Sequence, residues 1–271
     1  MALACMIGLA APLGLGAQDA NGAGVRVELR PHGGDTLHMR LEQQVEVVAR
    51  SKVKERDSTV VMRRSTTLYS RSVVRSADQE GATIAALADS IAVFEDGETR
   101  SRKLRARVVM HLAPDGTTRV LDDGGVLAGD AAALIRQMPA TLPDHPITVG
   151  TTWTHTAAMP IPGQPEGIGA GEVTTTFRLD SLSRYGDVAY ISLRGKLARP
   201  DGGVMLPNGV RFESSGNMTG TVQVDRRRGW LTTLRSTIIV ESVLTASGMP
   251  PVRVRTRVQQ TMSTSDPVDK Q

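Results

Sequence analysis

The side chains best suited to acid–base or metal chemistry in this chain are its five histidines, His32, His38, His111, His145 and His155. A zinc-type centre needs three or four convergent nitrogen, sulfur or oxygen ligands, often two of them one helical turn apart. None of the five has that spacing. His32, Asp35 and His38 come nearest to a ligand set, and they meet only if the turn before Thr36 folds back onto the segment after it. His145 and His155 flank Trp153, where a packing or surface role suits them better than catalysis. Asp89, Asp180 and Asp187 stand near strand ends, but nothing in their spacing pairs an acid with a base. There is no Gly-x-Ser-x-Gly elbow, no His-Glu-x-x-His and no phosphate-binding loop ending in Lys-Ser or Lys-Thr. Gly167-Ile168-Gly169-Ala170-Gly171 has the glycines of a nucleotide loop without the strand before it or the helix after it, and reads as a surface loop. No catalytic, cofactor-binding or metal-binding residue is therefore assigned, no cofactor is expected, and the expected function is non-enzymatic.

Cys5, the only cysteine, lies inside an apolar leader. Residues 1–17 have the small, uncharged, apolar character of a secretory signal peptide and are too short and too rich in Gly and Ala for a membrane span, so no transmembrane span is expected in the mature chain. Leu3-Ala4-Cys5 resembles a lipobox but leaves no room for the apolar stretch that must precede one. Removal of the leader leaves a chain without disulfides, thiolate chemistry or cysteine-based metal sites. The expected location is periplasmic or extracellular.

Basic residues are 27 Arg against 5 Lys, for a formal charge of +4. Arg63-Arg64, Arg100 to Arg107, Arg226 to Arg228, and Arg253, Arg255 and Arg257 form the densest runs. A solvated sheet face accounts for them, as does weak contact with an anionic envelope surface. Nucleic acid is not an expected partner, because export separates the chain from it and aromatics, at 3%, are too few for base stacking.

The elements carrying these residues are strands. From Thr36 to Arg50, Leu37, Met39, Leu41, Val45, Val47 and Ala49 alternate with His38, Arg40, Glu42, Gln44, Glu46 and Arg50. Period-2 alternation marks a strand in an antiparallel sheet with one wet face. Leu104 to Leu112 alternates the same way and turns through Pro114-Asp115-Gly116 into Thr118 to Leu121, a hairpin. Ala82 to Phe94 carries Ile84, Leu87 and Ile91 at helical spacing, but no cap precedes it and Asp96-Gly97 closes it, so a strand is favoured. Val25 to Leu29 reads as a short first strand, and Met218 to Val224 with Trp230 to Leu244 as a hairpin. Asp130 to Met138 is the best helix candidate, capped by Asp130 and stopped by Pro139. The expected layout is a leader (1–17), a flexible tether (18–24), a β-rich domain (25–262) and a polar tail (263–271). That domain is either single or two β halves, 25–125 and 145–262, joined by a helix near 130–138. With so few aromatics, the core must be aliphatic and prone to gaps.

Leu142-Pro143, Pro146 and Val149-Gly150-Thr151-Thr152-Trp153, followed by strand pairs and by Asp225 to Gly229 before Trp230-Leu231, resemble a family of uncharacterised exported bacterial proteins. Such proteins are similar in outline to the lipoprotein-carrier (LolA-like) half-barrels, from which this chain differs in its small helix content and greater length. The resemblance implies a large curved antiparallel sheet with one or two short helices, wrapped around an apolar cavity. It supplies no catalytic residues. The expected partner is a lipid or lipoprotein in that concavity; the alternative is a structural or interaction module that holds a protein or anionic polymer at sheet edges or on the Arg-rich face.

Overall fold

The computed structural model describes residues 24–53, 56–122, 142–159, 171–198, 203–206 and 209–266. Among these residues twelve strands form one antiparallel sheet: β1 (Thr36–Val53), β2 (Arg56–Ala77), β3 (Ala82–Glu95), β4 (Glu98–Leu112), β5 (Thr118–Asp122), β6 (Thr152–Met159), β7 (Gly171–Leu182), β8 (Val188–Ala198), β9 (Val204–Met205), β10 (Arg211–Asp225), β11 (Trp230–Thr245) and β12 (Val252–Ser265). The order is β5-β4-β3-β2-β1-β12-β11-β10-β8-β7-β6, with β9 pairing β10. The two β-rich stretches of the sequence are thus not separate sheets. They join where β1 pairs β12, from His38 opposite Ser265 to Arg50 opposite Arg253.

Alternation produces the two faces. Along β7 every second residue from Gly171 to Leu179 is buried, and its neighbours Glu172, Thr174, Thr176 and Arg178 are exposed. The buried face carries Leu68, Leu179, Ala189, Val224 and Val240, all fully enclosed. Ala82–Glu95 is a strand, as the missing cap and the closing turn indicate. Asp96 and Gly97, with φ of 52° and 83°, make the left-handed pair that a tight hairpin requires.

The sheet is open and strongly curled. Neighbouring strands lie about 4.8 Å apart, so a flat sheet would hold its edge strands β5 and β6 roughly 48 Å from each other. A single short segment nevertheless reaches toward both. Val25 exchanges two backbone hydrogen bonds with Ile147 (2.7 and 2.9 Å), just before β6, and the Leu29 N–H donates to Pro114 O (2.8 Å) in the turn before β5. Four residues of chain span at most about 14 Å. The two edges are therefore drawn round toward one another at this end. The segment that does this, residues 25–31, is not the strand its alternation suggests. It makes one isolated bridge and otherwise runs as a strap. Val27 and Leu29 on the strap are 1% and 5% exposed, and burying each contributes about 1.5–3 kcal/mol.

Two further boundaries differ from the alternation pattern. β10 begins at Arg211, earlier than Met218, because Arg211 and Phe212 pair with Thr245 and Leu244. β12 extends into the polar tail as far as Ser265, since the partner strand β1 continues beside it to His38. No helix occurs among the described residues, and the helix expected at 130–138 lies outside them.

Candidate functional site: the concave face and its cavity

Residues directly opposite on adjacent strands share a face, so the register reads as rows across the concave surface. One row is apolar: Leu68, Leu41, Met262, Leu234 and Val222, across β2, β1, β12, β11 and β10. The next row toward the far end of these strands is Thr66, Gln43, Gln260, Ser236 and Gly220. Thr66, Ser236 and Gln260 are buried in it, and the Ser236 hydroxyl donates to Gln260 Oε1 at 3.4 Å. The following row returns to Val45, Val258, Ile238 and Met218, with Arg64 at its β2 end. A polar seam therefore crosses this part of the interior, and Ser70, Thr175, Ser242 and Thr256 are buried polar residues elsewhere in it. Buried amides and hydroxyls persist only where partners offset their lost hydration.

Between this seam and the strap lies a cavity of about 80 Å³, walled by Leu29, Leu37, Leu41, Met110, Trp230 and Met262 and reached by Gln260. β4 and β11 both contribute although three strands and β12 separate them in the sheet order. That sharing is a second mark of the curl. Trp230 is placed by the turn before it: the Asp225 carboxylate accepts from the Arg228 N–H (2.9 Å), and Gly229 sits against the backbone of Arg30 in the strap. The Trp230 indole Nε1 is shut off from water, with no hydrogen-bond partner among the described residues. Among the described residues no charged side chain lines the cavity.

The convex face is of opposite character. Arg253, Arg255 and Arg257 project from β12, all exposed, and Arg253 stands directly opposite Arg50 on β1. Glu46 lies between Arg63 on β2 and Arg257 on β12, and Arg63 Nε donates to its carboxylate at 2.8 Å. A depression of about 260 Å³ opens here, lined in part by Gln44, Glu46, Arg63, Phe94, Arg257 and Gln259. The hydrogen bond and then the charge of Arg63, followed by Arg257 and Arg255, hold the Glu46 carboxyl below its ordinary value. A carboxyl depressed in the folded state stabilises above its unfolded value, and that contribution is lost as pH falls through the folded one. Glu46→Gln should therefore lower Tm slightly at pH 6 and leave it equal to wild type at pH 3. A thermal melt at each pH checks this, and an equal gap at both would sink it.

The chemistry-bearing residues of the sequence do not converge. His32 Nδ1 approaches Asp35 Oδ2 at 3.6 Å, but His38 lies on the exposed convex face, opposite Arg71 and Ser265. His145 pairs with Asp144 at 2.9 Å at the surface, and His155 shares the concave face with Thr175. His111 sits on β4 opposite Thr83 and Arg119. Asp180 pairs with Arg178 (3.3 Å), Asp89 is exposed beside a bulge in β3, and Asp187 lies in the turn between β7 and β8. No three His, Cys, Asp or Glu side chains gather as a metal site among the described residues. Gly167 to Ala170 lie outside those residues. Trp153 anchors the end of β6 by stacking on Phe177, with centroids 5.6 Å apart and planes at 11°. Gly150, at φ 91°, supplies the turn before it.

What the sequence reading missed is the seam and the strap. Gln43 is the polar residue in the apolar register of β1, and it was the available signal for the seam. Nothing comparable marks the strap, whose partners are distant in the chain.

No curated protein matches the chain, and no described helix is long and apolar enough to cross a membrane. Two solved structures are similar at 8% and 9% identity: one described as "Asymmetric conductivity of engineered proteins" and one a mutant of the Rh. blastica porin. Each likeness covers 83% of this chain and 99% of the other, at a TM-score of 0.27. Residues 131–231, which include Leu142-Pro143, the Val149 to Trp153 segment and Trp230-Leu231, match the model of a family described as a family of unknown function (DUF6263).

Proposed function

We propose that this is a non-enzymatic, exported envelope protein that holds a hydrophobic or amphiphilic ligand, a lipid or the lipid of a lipidated protein, in the concavity of its sheet. On this reading it works in the manner of the LolA-like half-barrels. The observation that carries the proposal is the cavity between strap and seam, lined by no charged side chain among the described residues, in an interior built mainly from aliphatic side chains. Apolar pockets with a few placed polar groups are the usual form of small-molecule sites. Native mass spectrometry with lipid extraction, on protein gently purified from its own envelope, tests it. A bound species of defined lipid mass is expected. A clean unliganded mass, with no uptake of added lipid, would overturn the proposal.

A second reading is favoured by one observation, the facing arginines of β1 and β12. Arg50 opposite Arg253 on the exposed face is like-charge placement that destabilises a bare sheet and that an acidic partner would relieve; Arg255 and Arg257 on the same strand stand opposite Glu241 and Glu46. Retention of the protein on an anionic envelope polymer, lost when Arg50 and Arg253 become Gln, would support that module over the carrier.

A further inference from the structure

We infer that the outer edge of β2 over residues 57–63 is a strand-pairing surface for a second copy of this chain, which adds its own β2 antiparallel to it. β1 lies along one side of β2, from Thr36 opposite Val73 to Val53 opposite Arg56. β3 covers the other side only as far as Arg64, which stands opposite Glu95, and then turns away at Asp96-Gly97. Among the described residues, 56–63 therefore have no strand beside them on that side, and all eight are exposed. Three of them are large and apolar: Val60, Val61 and Met62 are 56%, 48% and 58% exposed. Natural sheets blunt an open edge with charge, proline, a bulge or short length. Ser58 to Met62 has none of these, being free of charge, proline and glycine and in unbroken register with β1.

The chemistry of the edge selects a copy of itself. In an antiparallel strand successive residues direct their main-chain N–H and C=O groups to alternate sides. The Val74 N–H donates to Asp35 O and the Val74 carbonyl accepts from the Gly34 N–H, so Val74 faces β1. With no register shift between β1 and β2, Ser58, Val60 and Met62 face β1 as well, and Asp57, Thr59, Val61 and Arg63 aim their main-chain groups at the open edge. A second β2 offers the same donors and acceptors at the same spacing. Pairing through these residues keeps the concave faces of both copies on one side, where Val60 and Met62 extend the row positions of Ala49 and Val47. Charge sets the direction. Antiparallel addition brings Asp57 of each copy toward Arg63 of the other, whereas parallel addition would set like charges side by side. Within one chain Asp57 stands opposite Lys52 and Arg63 bonds Glu46, but the Arg63 side chain is 75% exposed, and a guanidinium has donors to spare after one such bond.

This pairing is independent of any bound ligand. One added strand is a small interface, so a weak dimer with a Kd of roughly 1–100 µM is expected. Sedimentation velocity of the purified protein between about 1 and 300 µM should show its mass rising toward that of a dimer. Over the same range the Thr59 and Val61 amides should exchange about threefold or more slowly at the high end, while those of Val60 and Met62, already directed at β1, change little. Val61→Pro removes an outward donor and spares the bonds to β1; it should weaken association at least about tenfold, since each dimer loses that bond twice. Tyr185→Ser, in the exposed turn between β7 and β8, should leave association unchanged. A protein that stays monomeric throughout, a dimer that forms without selective slowing of the Thr59 and Val61 amides, or equal losses in Val61→Pro and Tyr185→Ser would overturn the inference. The amides are read on the unsubstituted chain, so the result stands even where proline disturbs the fold. Lipid carried by a strictly monomeric protein would sink the pairing and leave the ligand-binding reading in place.

Discussion

Gly229→Ala should weaken the fold by about 3–5 kcal/mol in urea unfolding, near the top of the range for single substitutions, whereas Gly34→Ala should lose only about 1–2 kcal/mol. Both glycines occupy the left-handed region, with φ of 64° and 92°. An L-residue there carries a penalty of about 1–2 kcal/mol by itself, and that is the whole effect expected at Gly34, where a new methyl meets nothing within 4 Å. At Gly229 the methyl would sit 2.2 Å from Arg30 O, 2.3 Å from its carbonyl carbon and 2.5 Å from its nitrogen. These are backbone atoms of the strap, so no side-chain rotation relieves the overlap. Either the turn before β11 or the strap must move. Displacing the strap releases Val27 and Leu29 from the core and frees the backbone bonds to Ile147 and Pro114. Because the strap carries Leu29 into the cavity wall, the same substitution should also reduce ligand uptake. Equal losses at the two glycines would mean that the strap is not held against the β10–β11 turn.

That strap marks the limit of what the sequence reveals. β1 is legible because its partners on both sides leave one face dry and one wet, so alternation survives along most of its length. The Asp96-Gly97 and Pro114-Asp115-Gly116 turns are legible because their geometry is set by residues within the turn; the positive φ of Gly97 and Gly116 is local chemistry. Ala82–Glu95 could be placed as a strand despite its helical spacing because turn and cap signals are also local. Val25 to Leu29 alternates like a strand, yet its hydrogen bonds go to Ile147 and Pro114, and no local rule finds partners that far along the chain. The pairing of β1 with β12 is hidden for the same reason, and it converts two β-rich stretches into one sheet. The cavity follows from the curl, and the curl follows from long-range pairing, so its walls could not be named beforehand. Gln43 alone gave a hint. One polar side chain in an apolar register is ordinary; only the register shows that Thr66, Gln260 and Ser236 stand in line with it.

The curl also depends on β10, where Gly220→Val should cost about 3 kcal/mol, at the upper end for overpacking a close contact. Two effects oppose each other at this position. Valine has a higher strand propensity than glycine, a gain of up to about 1 kcal/mol. Against it, a side chain on Gly220 would place its first carbon 2.3 Å from Arg235 O and 3.1 Å from Ser236 Cα on β11. Gly216, four residues earlier on the same face, is equally tight against Ile239 O at 2.4 Å. Glycine inside a strand commonly marks such a close approach or a bend, and here β11 leans over β10 at both positions. Valine at 220 must push the two strands apart, and the overlap outweighs the propensity gain. Thr219→Val, one residue away on the exposed convex side, keeps the same backbone and the same β-branched shape, and should stay within about 0.5 kcal/mol of wild type. Urea midpoints for the two variants separate the effects. Because Gly220 stands in the row of Ser236 and Gln260, and Gln260 lines the cavity, splaying β10 from β11 also disturbs that row, so lipid uptake should fall in Gly220→Val and be kept in Thr219→Val. A stable Gly220→Val protein with unaltered lipid uptake would show that the curl is set elsewhere, by the strap alone.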